Sequence, residues 1–263
     1  SDTLLVTSDV FYINTMSIII EKISSFSYNE PILRDINLTI AEHTITAIVG
    51  PKGSGKATFL RLFNRLNETQ QGFRKEGNIL IDGESIYKED IHDLRRRIGI
   101  VFSKPTALTG TVLDNLSFGL KIQNVKDKTL IFKKIKNTLL NFELWDYFED
   151  DLKTPAKKLS SFRLQLLSLA RVLIADPEII LFDQPTKELS EMPTRRFEGI
   201  IYSLKQYYTI ILNPSSMPQA QRLSDTTAFL YNGNLIEYDN TTKIFTKPAQ
   251  QLTENYIRGK LDY

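Results

Sequence analysis

Residues 50–58 read Gly-Pro-Lys-Gly-Ser-Gly-Lys-Ala-Thr, and no other segment restricts the fold of the chain so tightly. The pattern Gly-x-x-x-x-Gly-Lys is complete from Gly50 to Lys56. It follows the apolar run Thr44–Val49 and precedes Phe59-Leu60-Arg61-Leu62-Phe63. A strand that enters such a turn and leaves it as a helix forms a phosphate-binding loop. Its glycines let successive backbone N–H groups turn toward an anion, and the lysine reaches the outer phosphates. The expected nucleotide cradle is therefore Gly50, Pro51, Lys52, Gly53, Ser54, Gly55, Lys56, Ala57 and Thr58. Ala57 stands where the pattern calls for a hydroxyl that ligates Mg²⁺, so the cradle and a defect in its metal site arrive together.

Bulk properties narrow the function classes. At 263 residues the chain is long enough for a sizeable core. A net charge of +2 with 24% charged residues gives no reason to invoke nucleic acid or an anionic membrane as the main partner. The absence of cysteine excludes disulfides and cysteine-ligated zinc, and fits a cytosolic protein. Apolar runs such as Ile18–Ile20 and Glu178–Phe182 are far short of the ~20 residues that span a bilayer. The N-terminus shows no secretory signal. The expected location is cytoplasmic, peripheral on the inner face of the membrane, with any membrane contact made through another subunit.

Residues 1–15 are set apart as an N-terminal extension, and 16–263 as one domain. Ile18–Phe26 and Ile32–Ile40 alternate as paired strands around Tyr28-Asn29-Glu30-Pro31. Thr44–Val49, Asn78–Ile81, Ile98–Phe102, Glu178–Phe182 and Tyr208–Leu212 are short β-rich runs with helical patterns between several of them, which argues for a mostly parallel α/β sheet. Lys126–Phe142 places Ile131, Ile135, Leu139 and Leu140 on one helical face. It belongs to a stretch, about 106–160, without a convincing strand, expected to be a helical subdomain. Asn232-Gly233 between Ala228–Tyr231 and Leu235–Tyr238 predicts a hairpin.

Glu178-Ile179-Ile180-Leu181-Phe182-Asp183 is an apolar strand ending in an acid, followed by Gln184-Pro185-Thr186. In phosphate-loop nucleotidases such an aspartate completes the Mg²⁺ shell, which makes Asp183 the candidate metal residue. With Phe63-Asn64-Arg65-Leu66-Asn67, Ile79–Tyr87, Leu94–Phe102, Gln219–Phe229 and Ile244–Pro248, these segments resemble the ATP-binding subunits of ABC transporters, and among them the phosphate-import ATPases. The resemblance covers roughly residues 18–260. It implies the ABC-type α/β fold, ATP or ADP as ligand, transmembrane permease subunits or a paralogous ATPase as partners, and head-to-tail assembly as a homodimer or heterodimer. A phosphate-loop kinase or GTPase is disfavoured, because no guanine-specificity motif is present.

Carried over position by position, the resemblance also exposes departures. The family's metal ligands correspond to Ala57, Ser103 and Asp183, which puts Mg²⁺ in doubt. The glutamate that polarises the attacking water is replaced by Gln184, whose amide cannot accept a proton as a carboxylate does. The switch histidine corresponds to Ser215. The signature Leu-Ser-Gly-Gly-Gln reads Leu159-Ser160-Ser161-Phe162-Arg163, which keeps Ser160 as a binding candidate but sets Phe162 against a partner's γ-phosphate. The following Ser-Ala-Leu-Asp loop reads Lys187-Glu188-Leu189-Ser190, without its aspartate.

No intact catalytic set is left. The expectation is a subunit that holds nucleotide and hydrolyses it poorly or not at all. The opposing expectation is a working ATPase that energises phosphate import. Tyr28 matches the family's adenine-stacking aromatic, against the plainer reading of a hairpin ring lying on the sheet. Lys52 is read as solvated, as is the Arg95-Arg96-Arg97 run.

Overall fold

A computed structural model describes residues 17–260, and the N-terminal extension expected over 1–15 lies outside them. Two sheets organise the chain. The first is antiparallel, in the order β2-β1-β4-β5, from β1 (Ser17–Ser27), β2 (Glu30–Ala41), β4 (Phe73–Ile81) and β5 (Glu84–Ser85). The second has the order β10-β9-β3-β8-β7-β6, from β3 (Ile45–Val49), β6 (Ile98–Phe102), β7 (Ile179–Asp183), β8 (Thr209–Asn213), β9 (Thr226–Tyr231) and β10 (Asn234–Asn240). All its pairings are parallel except the β9–β10 hairpin, which turns at Asn232-Gly233 as expected.

Parallel strands covered on both faces read as unbroken apolar runs rather than alternating ones. β7 behaves this way: Ile180 and Phe182 enter one hydrophobic cluster, while Ile179 and Leu181 enter another. β4 begins five residues before the expected Asn78, because Phe73–Glu76 pair with β1 despite their charged composition. A polar, half-exposed strand carries little apolar signal, and its partner decides its extent.

α1 (Lys56–Leu62), α2 (Ile91–Arg97) and α5 (Ser161–Ile174) pack with the sheets, followed by α6 (Glu191–Leu204) and α7 (Met217–Leu223). Between β6 and α5 lie α3 (Val112–Ile122) and α4 (Lys128–Asn141), and among the described residues this stretch holds no strand. Ile131, Ile135 and Leu139 are buried along one row of α4, but Leu140 is half exposed. One residue is 100° of helix rotation, so Leu140 leaves the row that the i, i+4 spacing defines. Of the Arg95–Arg97 run, Arg96 is solvated as expected, but its two neighbours are engaged. Arg95 donates to the carbonyls of Asn64 and Arg65, and Arg97 pairs with Glu89 and Glu178.

Candidate functional site

Three parallel strands end side by side, and their ends build the site. In the β6–β7 and β7–β8 ladders Asp183 stands opposite Phe102 and Asn213. Ser103, Gln184 and Ser215 therefore leave the sheet at the same edge. β3, paired to β8, delivers the phosphate loop beside them. Ligands in open α/β sheets bind at this carboxyl edge. A cavity of about 800 Å³ opens there, lined by the loop, Arg61, Ser103, Asp183, Gln184, Lys187 and the segment Asn213–Met217.

Backbone geometry explains why the loop needs its glycines. Gly50 has φ 150°, and a Cβ there would meet the Leu230 carbonyl oxygen at 2.0 Å. Gly55 caps α1 with φ 97°, a left-handed conformation that side chains resist. Gly50, Lys52, Gly53, Gly55, Lys56, Ala57 and Thr58 line the cavity, while Pro51 and Ser54 shape the turn behind it, the Ser54 amide donating to the Pro51 carbonyl. Lys56 folds back on the loop, its Nζ donating to the Gly50 and Pro51 carbonyls at 2.5 and 2.7 Å. Burial holds the Lys56 ammonium below the ordinary lysine range, and the negative charge of Asp183 opposes that shift.

Asp183 has both carboxylate oxygens engaged. Its Oδ2 accepts from an Arg61 guanidinium nitrogen at 2.9 Å, and its Oδ1 from the Asn213 amide at 2.7 Å. Arg61 lies four residues beyond Ala57, on the same face of α1, so it fills the side of the helix from which the missing hydroxyl would have pointed. Mg²⁺ takes six oxygens in near-ideal octahedral geometry. The donor set does not fit it: Ala57 offers no side-chain oxygen, Ser103 only a short hydroxyl, and Asp183 is bonded to a cation already. Arg61 and Asn213 escaped the sequence reading. The i, i+4 spacing from Ala57 was a usable signal for Arg61, whereas Asn213 becomes visible only through the β7–β8 register.

Gln184 takes φ 51°, a left-handed conformation uncommon for a residue other than glycine, and its amide donates to the Asn213 carbonyl at 2.8 Å. Lys187 Nζ lies 3.5 Å from its side-chain oxygen. Ser215 is tied to the loop after β7. Its Oγ accepts from the Thr186 amide and hydroxyl at 3.2 and 3.1 Å, and its own amide donates to Gln219 Oε1 at 2.7 Å. The Gln219 amide in turn donates to Thr186 Oγ1 and to Glu198, which Arg222 holds as an ion pair.

Two of the sequence candidates lie away from the cavity lining. Tyr28 is 67% exposed at the β1–β2 turn, and its ring lies over Gly72. Ser160 caps α5, accepting from the Arg163 amide. Beside it Phe162 packs edge-on against Tyr147 at 5.8 Å, and Arg163 pairs with Asp151 at 2.6 Å while donating to the Tyr147 carbonyl. These aromatic and ionic ties hold the segment to its own chain.

Comparisons with known proteins agree with this architecture. The family model described as "ABC transporter" matches residues 33–187. The chain is 41% identical to the Phosphate import ATP-binding protein PstB of Bacteroides thetaiotaomicron over 87% of its own length and 91% of that protein. It is 40% identical to the protein of the same name from Cytophaga hutchinsonii, covering 87% of the chain and 92% of the relative. Among solved structures, CbiO1 of Clostridium perfringens, described as part of the ABC transporter complex CbiONQ, superposes with a TM-score of 0.76 at 25% identity, over 91% of this chain and 94% of that one. A phosphate loop at the edge of this mixed sheet, a family match over most of the core and these relatives lead to one conclusion: the chain belongs to the ABC transporter family, as an ATP-binding subunit resembling PstB.

Proposed function

We propose that this subunit binds ATP or ADP and hydrolyses it very slowly or not at all, acting as a regulatory or structural partner in an ABC assembly. The observation that carries this reading is the lack of a free carboxylate at the phosphates. Among the described residues lining the cavity Asp183 is the only acid, and its two oxygens are bonded to Arg61 and Asn213. Gln184, next in the chain, cannot take a proton from water near neutrality. Loss of a general base alone slows such reactions by about 10²–10⁴-fold. Ser215, held by Thr186 and Gln219, supplies no imidazole at the phosphates.

The family resemblance assigns Tyr28, exposed at the hairpin tip, to stacking on the base. The assembly this reading implies is a dimer, with itself or with a paralogous ATPase, beneath a transmembrane permease. Among the described residues no helix is long and apolar enough to cross a membrane, so the permease supplies the membrane contact.

A second reading, a working ATPase that energises phosphate import, draws support from the 41% identity to a protein named for that role. A phosphate-release assay on the purified chain with Mg²⁺ and ATP separates the two. The expected result is release no faster than that of Lys56→Ala. Turnover that Lys56→Ala abolishes would establish the second reading.

A further inference from the structure

Given the nucleotide-binding reading above, on which this rests, we infer that the cavity takes its nucleotide as the metal-free polyanion, with the Arg61 guanidinium standing where the cation would sit. Three features carry the inference. The first is the Arg61–Asp183–Asn213 arrangement. The Asp183 side chain is almost fully enclosed, and its charge is balanced by a guanidinium at 2.9 Å. A divalent ion reaching Asp183 would have to displace the Arg61 guanidinium from a charge-assisted hydrogen bond of 2.9 Å.

The second is the charge of the lining. Lys52, Lys56, Arg61 and Lys187 face the cavity against the single carboxylate of Asp183. Once Asp183 is matched by Arg61, three lysines remain for the ligand. Ammonium groups on flexible stems act as point charges for phosphate, and charge-assisted hydrogen bonds to phosphate oxygens are the strong ones. A Mg²⁺–nucleotide complex carries two fewer negative charges than the free nucleotide, and so gains less from this lining.

The third is an unmet polar atom. Asn213 is 3% exposed and lines the cavity, yet its Oδ1 has no hydrogen-bond partner among the described residues. The Arg61 Nε, also enclosed, is likewise without one. The Arg61 Nε is a donor beside the phosphate loop and suits a phosphate oxygen, while the Asn213 Oδ1 is an acceptor and suits a water that donates to it.

The test is calorimetric titration of the full chain with ATP, once in excess EDTA and once in excess MgCl₂, for the natural sequence, Arg61→Met and Arg61→Lys. The natural chain is expected to bind free ATP about tenfold tighter than Mg²⁺–ATP. Arg61→Met, which frees Asp183, is expected to abolish or reverse that preference, and Arg61→Lys to keep it. Equal or tighter binding of Mg²⁺–ATP by the natural chain overturns the inference while leaving nucleotide binding intact. An unchanged preference in Arg61→Met overturns the role of Arg61. Absence of saturable binding in both buffers overturns the nucleotide-binding reading itself, and this inference with it. Water-proton relaxation with Mn²⁺ and ATP on the natural chain provides a readout that needs no variant. No enhancement beyond that of Mn²⁺–ATP in solution is expected, and a clear enhancement overturns the inference.

Discussion

At the scale of single residues, the site is governed by which charges are already matched. Lys56 spends its hydrogen bonds on the loop's own carbonyls, so a phosphate must compete with Gly50 and Pro51 for the ammonium. Burial places its pKa below the ordinary 10.5, and an arriving polyanion raises it. The bound state therefore holds more protons than the free state between those two values, and binding weakens as pH rises through that window. ATP affinity measured from pH 7 upward should start to fall below 10.5, and Lys56→Arg, whose charge persists, should flatten the profile. Gln184 makes a complementary point. Gln184→Glu alone should restore little turnover, because Asp183 stays bonded to Arg61 and the short Ala57 and Ser103 remain. A recovery of about 10²-fold or more in phosphate release from this single change would show that the base was the only defect.

At the scale of elements, the segment 159–163 illustrates how a motif can be kept in outline and rebuilt in chemistry. Ser160 still caps α5, while Phe162 and Arg163 are committed to Tyr147 and Asp151. Ser160→Ala should lower stability by about 1 kcal/mol in thermal melting and leave the ATP affinity of the isolated chain unchanged. A loss of affinity in that variant would place the α5 N-terminus nearer the cradle than this fold allows. The legibility of elements followed their burial pattern. β3, β7, β8 and the β9–β10 hairpin were readable because apolar runs and Asn-Gly report on the chain's own preferences. The start of β4 and the outward turn of Leu140 were not, because pairing with β1 and the packing of α4 decide them.

At the scale of the whole molecule, two hydrophobic clusters meet across the parallel sheet, and β7, which carries Asp183, contributes to both. Phe182, fully buried and edge-on to Phe197 at 6.3 Å, links the strand to α6. Phe182→Ala should cost about 3–5 kcal/mol, read as a fall in denaturation midpoint. Head-to-tail dimerisation, the assembly that the family resemblance implies, needs one chain's signature segment at the other's phosphates. With Phe162 and Arg163 held to their own chain, ATP should leave the sedimentation coefficient of the pure protein unchanged. A nucleotide-driven rise in the sedimentation coefficient of the pure protein would contradict that expectation.

The sequence by itself determined the phosphate loop, the family resemblance and the residue types at positions 57, 103, 184 and 215, because each is legible from residue type along the chain. Tertiary structure alone decided what the remaining groups do with each other. Arg61 and Asp183 are 122 positions apart, and Asp183 and Asn213 lie on different strands. Only the parallel register of β6, β7 and β8 beside α1 brings a guanidinium and an amide onto one carboxylate. That convergence is a property of chain crossing rather than of any segment, and it turns an aspartate suited to a metal into one already neutralised by the protein.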